Sequence, residues 1–253
     1  MKSFLTKMAC FLAMASFSGA ACAQLTDVAT VANVFTTPGG NHITFHPLIH
    51  ASIRISFNDC ELQIDPVSKL GDRTLDLSSM PKADFILITH EHFDHCDSTA
   101  VASLSDSKTR LITNARCADI LGKGEIMANG DKKSLTRLIN IEAVPAYNTS
   151  PKHLQFHPKG RDNGFILNID GFRVYIAGDT EDIPEMANLG NIDVAFLPCN
   201  QPYTMTVSQL LNAALMVKPR VLIPYHYGST DISSVPNALA PYGIDVRLHE
   251  CLR

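Results

Sequence analysis

The chain has no Cys-x-x-Cys pair, no internal repeat, no low-complexity tract and no block of like charge. Each absence removes a class of protein. Once Cys10 and Cys22 are assigned to a leader, an odd number of cysteines remains (Cys60, Cys96, Cys117, Cys199 and Cys251), and their spacing offers no disulfide framework. A formal net charge of −4 with no basic stripe supplies nothing for a broad nucleic-acid surface, so a small-molecule partner is expected and no nucleic acid. The apolar stretch inside "MKSFLTKMACFLAMASFSGAACAQ" is short and broken by serines, below the roughly 20 apolar residues of a stable membrane span. With Lys2 and Lys7 ahead of it and Ala21-Cys22-Ala23 behind, it reads as a signal peptide over residues 1–23. Residues 24–253 are then one large domain, expected in the periplasm or secreted; Cys22 as a lipid acceptor is the alternative.

The patterning is that of a sheet-rich α/β domain with helices outside. "SIRISF" and "ELQID" alternate around an Asn-Asp turn and predict a half-buried hairpin that ends at Pro66. "DFILIT", "IDVAFLP" and "RVLIPY" are nearly continuous apolar runs, as expected of strands covered on both faces. "GFILNIDGFRVYIAGDT" predicts a second hairpin turning at Asp170-Gly171. "NARCADILGKG" and "EDIPEMANLG" each predict a short helix with a glycine stop. "TVSQLLNAALMVKP" predicts an amphipathic helix with Thr206 and Gln209 in capping-box spacing.

What is abundant is metal-binding chemistry, crowded where strands stop. "ITHEHFDHC", residues 88–96, places His90, His92, Asp94 and His95 directly after an apolar strand. Asp179 ends another strand and His226 a third, and strand ends converge along one sheet edge. One ion cannot easily take four ligands from six consecutive residues, whereas two ions can divide them. Neutral imidazoles suit zinc, manganese, iron or nickel, and a carboxylate adds charge and can bridge two cations. Such a cation lowers the pKa of a bound water to about 7 and makes a hydroxide nucleophile, so hydrolysis is the natural reaction. Read as a solvated turn, the loop would crowd these groups together at a cost that nothing repays. Alone, Asp179 would read as a helix N-cap and His226 as a packed strand-end residue. Cys96 is expected in the core, Glu91 at the surface or behind the ligands, and Met186, Met205 and Met216 in packing.

"THEHFDH" matches the Thr-His-x-His-x-Asp-His signature of the metallo-β-lactamase superfamily, and "YIAGDT" and "IPYHYG" resemble its later aspartate and histidine motifs. With "HASIRISFNDCELQIDP" the resemblance extends over nearly all the mature chain, and is to the hydrolase-like branch. It implies a four-layer αββα sandwich holding one or two divalent metals, with zinc expected. By resemblance His90 and His92 bind the first metal, Asp94, His95 and His226 the second, and Asp179 bridges. Asp94 also handles a proton in catalysis. His50 is placed near substrate or the metal shell, and Asp65 behind a ligand histidine. The pattern departs at "AVPAYN": Tyr147 and Asn148 stand where a further first-metal histidine is expected. His157 is the favoured substitute, with His153, or neither, as alternatives. This departure points away from β-lactams towards another small ester, lactone, amide or phosphoester. A non-catalytic metal-binding or sensing protein that retains the fold is the alternative.

Overall fold

The computed structural model describes residues 33–253, so the signal assigned to residues 1–23 lies outside the described part. Two sheets of seven strands face each other. In the first, β1 (Asn33–Thr36), β2 (His42–Ile49), β3 (Ser52–Phe57) and β4 (Cys60–Ile64) form an antiparallel meander. A small separate hairpin, β5 (Lys69–Leu70) and β6 (Arg73–Thr74), follows. The sheet then continues in parallel through β7 (Phe85–Leu87), β8 (Arg110–Thr113) and β9 (Glu125–Ile126). Helices α1 (Ser98–Leu104) and α2 (Ala115–Leu121) make the crossovers.

The second sheet repeats the plan. Its strands β10 (Lys132–Ser134), β11 (Ile139–Ala146), β12 (Asp162–Ile169) and β13 (Phe172–Ile176) are antiparallel. Strands β14 (Val194–Pro198), β15 (Val221–Tyr225) and β16 (Asp245–Val246) continue in parallel, crossed by α3 (Val207–Val217) and α4 (Val235–Leu239). The expected αββα layering is what the chain forms.

Packing explains the layers. The main core lies between the sheets, where Phe45 of β2 reaches Phe196 of β14 at 5.8 Å and Phe172 of β13 at 6.3 Å between ring centroids. A second cluster covers the outer face of the first sheet, joining Ile86, Ile88 and Leu111 to Ala100, Val101 and Leu104 of α1. Cys96 and Cys117 sit in this cluster. Every residue of β7, β14 and β15 is buried, as their uninterrupted apolar runs predict. Both predicted hairpins form, as does the capping box of α3.

One expectation needs correction, and one pair of strands goes beyond those expected. "EDIPEMANLG" makes only a 3-10 turn, Pro184–Asn188, entered through a proline with no side-chain cap. The strands β1 and β2 precede the first predicted hairpin and were not foreseen, because Pro47 interrupts "HITFHPLI" and the β2–β3 register shifts between Pro47 and Ile49.

The carboxyl ends of β2, β4, β7, β13 and β15 open onto His50, Asp65, the 88–96 loop, Gly178-Asp179 and His226 respectively. Gly178 is required there by its backbone. Its φ is +67°, and an added Cβ would lie 2.8 Å from the carbonyl oxygen of Asn163 and 3.3 Å from Thr89 Cβ. Gly178→Ala is expected to cost about 1–3 kcal/mol from the left-handed backbone alone, with the steric overlap added, read as a lowered denaturant midpoint.

Candidate metal centre

The 88–96 loop leaves β7 as a tight turn in which His92 carbonyl accepts from the amides of His95 (3.0 Å) and Cys96 (2.8 Å). Asp97 closes it by capping α1 through the amides of Thr99 and Ala100. The turn throws His90, His92, Asp94 and His95 to one side and leaves Phe93 79% exposed. Among the described non-glycine residues with positive φ, three sit at this edge: His50 (58°), Asp65 (42°) and His226 (50°). Each such backbone costs about 1–3 kcal/mol, a cost found mainly where geometry serves a site.

Two groups of potential ligands result. His90, His92, His157 and Asp179 form one, and His50, Asp94, His95 and His226 the other; within each group, one ligand atom per residue lies within 4.8 Å of the rest. Asp179 lies between them. Its Oδ2 is 3.2 Å from His226 Nε2, 3.4 Å from His157 Nε2 and 3.8 Å from His90 Nε2, while Oδ1 is 3.4 Å from His95 Nε2. His50 is nearer the centre than a substrate contact requires: its Nε2 is 3.1 Å from Asp94 Oδ2, and its ring is 3.8 Å from that of His226.

Of the alternatives for the departing loop, the structure brings His157 to the cluster and turns His153 to Glu181, with Nδ1 3.3 Å from Oε1. Asp65, fully buried, accepts from Thr89 N (2.8 Å), Thr89 Oγ1 (2.7 Å) and His95 Nδ1 (2.8 Å). Glu91 meets Arg161 Nη1 at 3.1 Å. Sequence reasoning passed over Asp162 and Glu181. Asp162 pairs with His157 Nδ1 at 2.9 Å, and Glu181 accepts from the amides of Thr149 (2.8 Å) and Ser150 (2.7 Å). The signal for Asp162 was its place at the mouth of a strand five residues after a histidine.

The electrostatics are those of a site built for positive charge. Burial works against ionisation of Asp179, but His226 and His95 outweigh it and hold the carboxyl well below the usual range. Burial likewise opposes the charged form of His226, yet Asp179 and Asp94 raise it to about 9. His90 is driven well below its ordinary value by burial and then by His95. Burial and His226 push His50 down to about 4.

The donors fit divalent cations. His95 Nε2, His157 Nε2, His226 Nε2 and Asp179 Oδ1 are buried without a hydrogen-bond partner. An unpaired buried polar group costs about 1–3 kcal/mol, and these converge on one space, which is what cation ligands require.

Residues 43–226 match the Beta-lactamase superfamily domain, a span that encloses all eight residues of the two groups. The chain belongs to the metallo-β-lactamase superfamily. Within that superfamily it belongs to the UPF0173 metal-dependent hydrolases. One of these, from Archaeoglobus fulgidus, is 31% identical over 182 residues, covering 66% of this chain and 78% of the relative. A candidate metal-dependent hydrolase of Parabacteroides distasonis has the same fold with a TM-score of 0.84 at 50% identity, covering 87% of this chain and 98% of that one. Igni18, a metallo hydrolase of Ignicoccus hospitalis, gives 0.70 at 25% identity over 83% and 96% of the two chains. The chain is accordingly a metal-dependent hydrolase of the metallo-β-lactamase superfamily, with two buried His/Asp sites.

Proposed function

We propose that the two groups hold two zinc ions and that the enzyme hydrolyses a small ester, lactone, amide or phosphoester. The observation that carries this reading is the convergence of unpartnered imidazole nitrogens and a carboxylate oxygen on one buried space. Imidazole and carboxylate donors suit zinc, and manganese, iron and nickel accept the same set. When bound, such ions activate water and polarise the bond to be cut.

His90, His92 and His157 would hold the first ion, Asp94, His95 and His226 the second with His50 beside them, and Asp179 would serve both. His90, His95 and His157 are fully buried, so the site excludes bulk water from one side. Asp94 is the more open of the two carboxylates, its side chain 19% exposed against 2% for Asp179. Its Oδ2 lies between His50 Nε2 (3.1 Å) and His226 Nε2 (3.6 Å), where it can pass a proton to a leaving group that arrives from solvent. Reading residues 1–23 as an export signal supports a reaction in the periplasm or outside the cell.

The test is a panel of chromogenic lactam, lactone, ester and phosphodiester substrates, run with zinc-loaded and chelator-stripped protein. Turnover of at least one class is expected, lost on chelation and restored by zinc, with Asp94→Ala at least roughly 100-fold slower. Tight zinc binding with no turnover of any class would instead identify a metal-binding or sensing protein.

A further inference from the structure

We propose that Asp162, locked by Arg161, is the positioning residue that replaces a rigid delivery of the third histidine in the first metal group. The inference rests on the reading of His157 as a ligand. His157 lies in residues 147–161, the long connection between β11 and β12, and a side chain carried on such a loop needs an anchor to hold a coordinating geometry. Asp162 is that anchor. It is the first residue of β12, paired with Ala146 at the end of β11, and its carbonyl accepts from Asn129 Nδ2 at 2.9 Å. Its carboxylate is fully buried and takes His157 Nδ1 at 2.9 Å through Oδ2. With Nδ1–H donated to a carboxylate, the tautomer is set and the lone pair of Nε2 is left for the cluster, where Nε2 is buried and unpartnered.

Arg161 makes the anchor a clamp. Its Nε and Nη2 grip the two oxygens of Asp162 at 2.6 and 2.9 Å, and Nη2 also donates to the Phe156 carbonyl at 2.7 Å, just before His157. Its remaining nitrogen, Nη1, reaches Glu91 Oε1 at 3.1 Å, between His90 and His92. The Arg161 carbonyl in turn accepts from Asn114 Nδ2 at 3.1 Å, the residue that caps α2. One guanidinium therefore ties the His90/His92 loop to the His157 loop, so the two contributions to the first group are held in mutual register. A bidentate arginine pair on a fully buried carboxylate has the rigidity this needs.

The experiment uses the full chain, stripped with chelator and titrated with Co(II), following heat by calorimetry and the visible ligand-field bands by spectroscopy. Asp162→Ala should weaken one of the two Co(II) binding events by roughly 10–100-fold and alter the bands of that site, leaving the other event unchanged. Asp162→Asn, which keeps an oxygen acceptor, should retain more affinity than Asp162→Ala and guards against a variant that fails to fold. Arg161→Ala should weaken the same event. Wild-type affinity and spectrum for both ions in Asp162→Ala, alongside loss of one ion in His157→Ala, would overturn the clamp and leave the metal reading intact. Unchanged binding of both ions in His157→Ala would overturn both.

Discussion

Asp179→Asn should empty both metal groups at once and reduce turnover to the rate of the chelator-stripped protein. The carboxylate is 2% exposed and stands within 3.8 Å of four imidazole nitrogens from three separate segments, those of His90 and His95, of His157 and of His226. No other side chain at the site touches both groups so widely. An asparagine has the same shape, but it carries no charge and turns an N–H₂ donor towards nitrogens that must offer lone pairs. Loss of a partner behind a ligand weakens metal binding by roughly 10–100-fold; loss of the shared carboxylate should exceed that for both ions. Isothermal titration of zinc into the stripped variant, with circular dichroism to show that the fold persists, checks the expectation. Retention of two tight ions would contradict it.

Asp65→Ala should be the most destabilising single change at the site, even without metal. Asp65 is fully buried and is the sole hydrogen-bond acceptor found for Thr89 N and His95 Nδ1 among the described residues. Truncation leaves these two donors buried without an acceptor, and the Thr89 hydroxyl with His90 Nδ1, at 3.0 Å, as its remaining partner among the described residues. Breaking a buried pair from one side costs about 3–5 kcal/mol. For a domain of this size that lowers the melting temperature by roughly 6–20 °C, read by calorimetry on stripped protein. The same change frees the His95 ring to rotate, so the second group should also lose metal affinity. An unchanged melting temperature would show that His95 and Thr89 find other partners.

Asp65 and Asp162 play matching parts, one behind His95 and the other behind His157, yet only Asp65 was legible in the sequence. The difference is physical. Asp65 ends a strand in "ELQID", and its place can be read from a local alternation and a following proline. Asp162 begins a strand after a long loop, and its partner is chosen by how that loop folds back. The same reason left His153 and His157 undecided: Glu181, from a segment across the sheet, accepts from Thr149, Ser150 and His153, and so draws His153 away. Local motifs carried His90, His92, Asp94, His95, Asp179 and His226 to one edge because strand ends must share it. His50 is placed by resemblance alone, near substrate or the metal shell, since its left-handed backbone at the end of β2 is invisible in the residue type. The apolar runs announced β7, β14 and β15, while the bulge at Pro47 concealed β2.

Anomalous diffraction from crystals loaded with zinc tests the central claim most directly. Two peaks per chain are expected, one among His90, His92 and His157, the other among Asp94, His95 and His226, with Asp179 against both. Loaded crystals with no peak at this edge, or with zinc bound only elsewhere on the chain, would contradict the account.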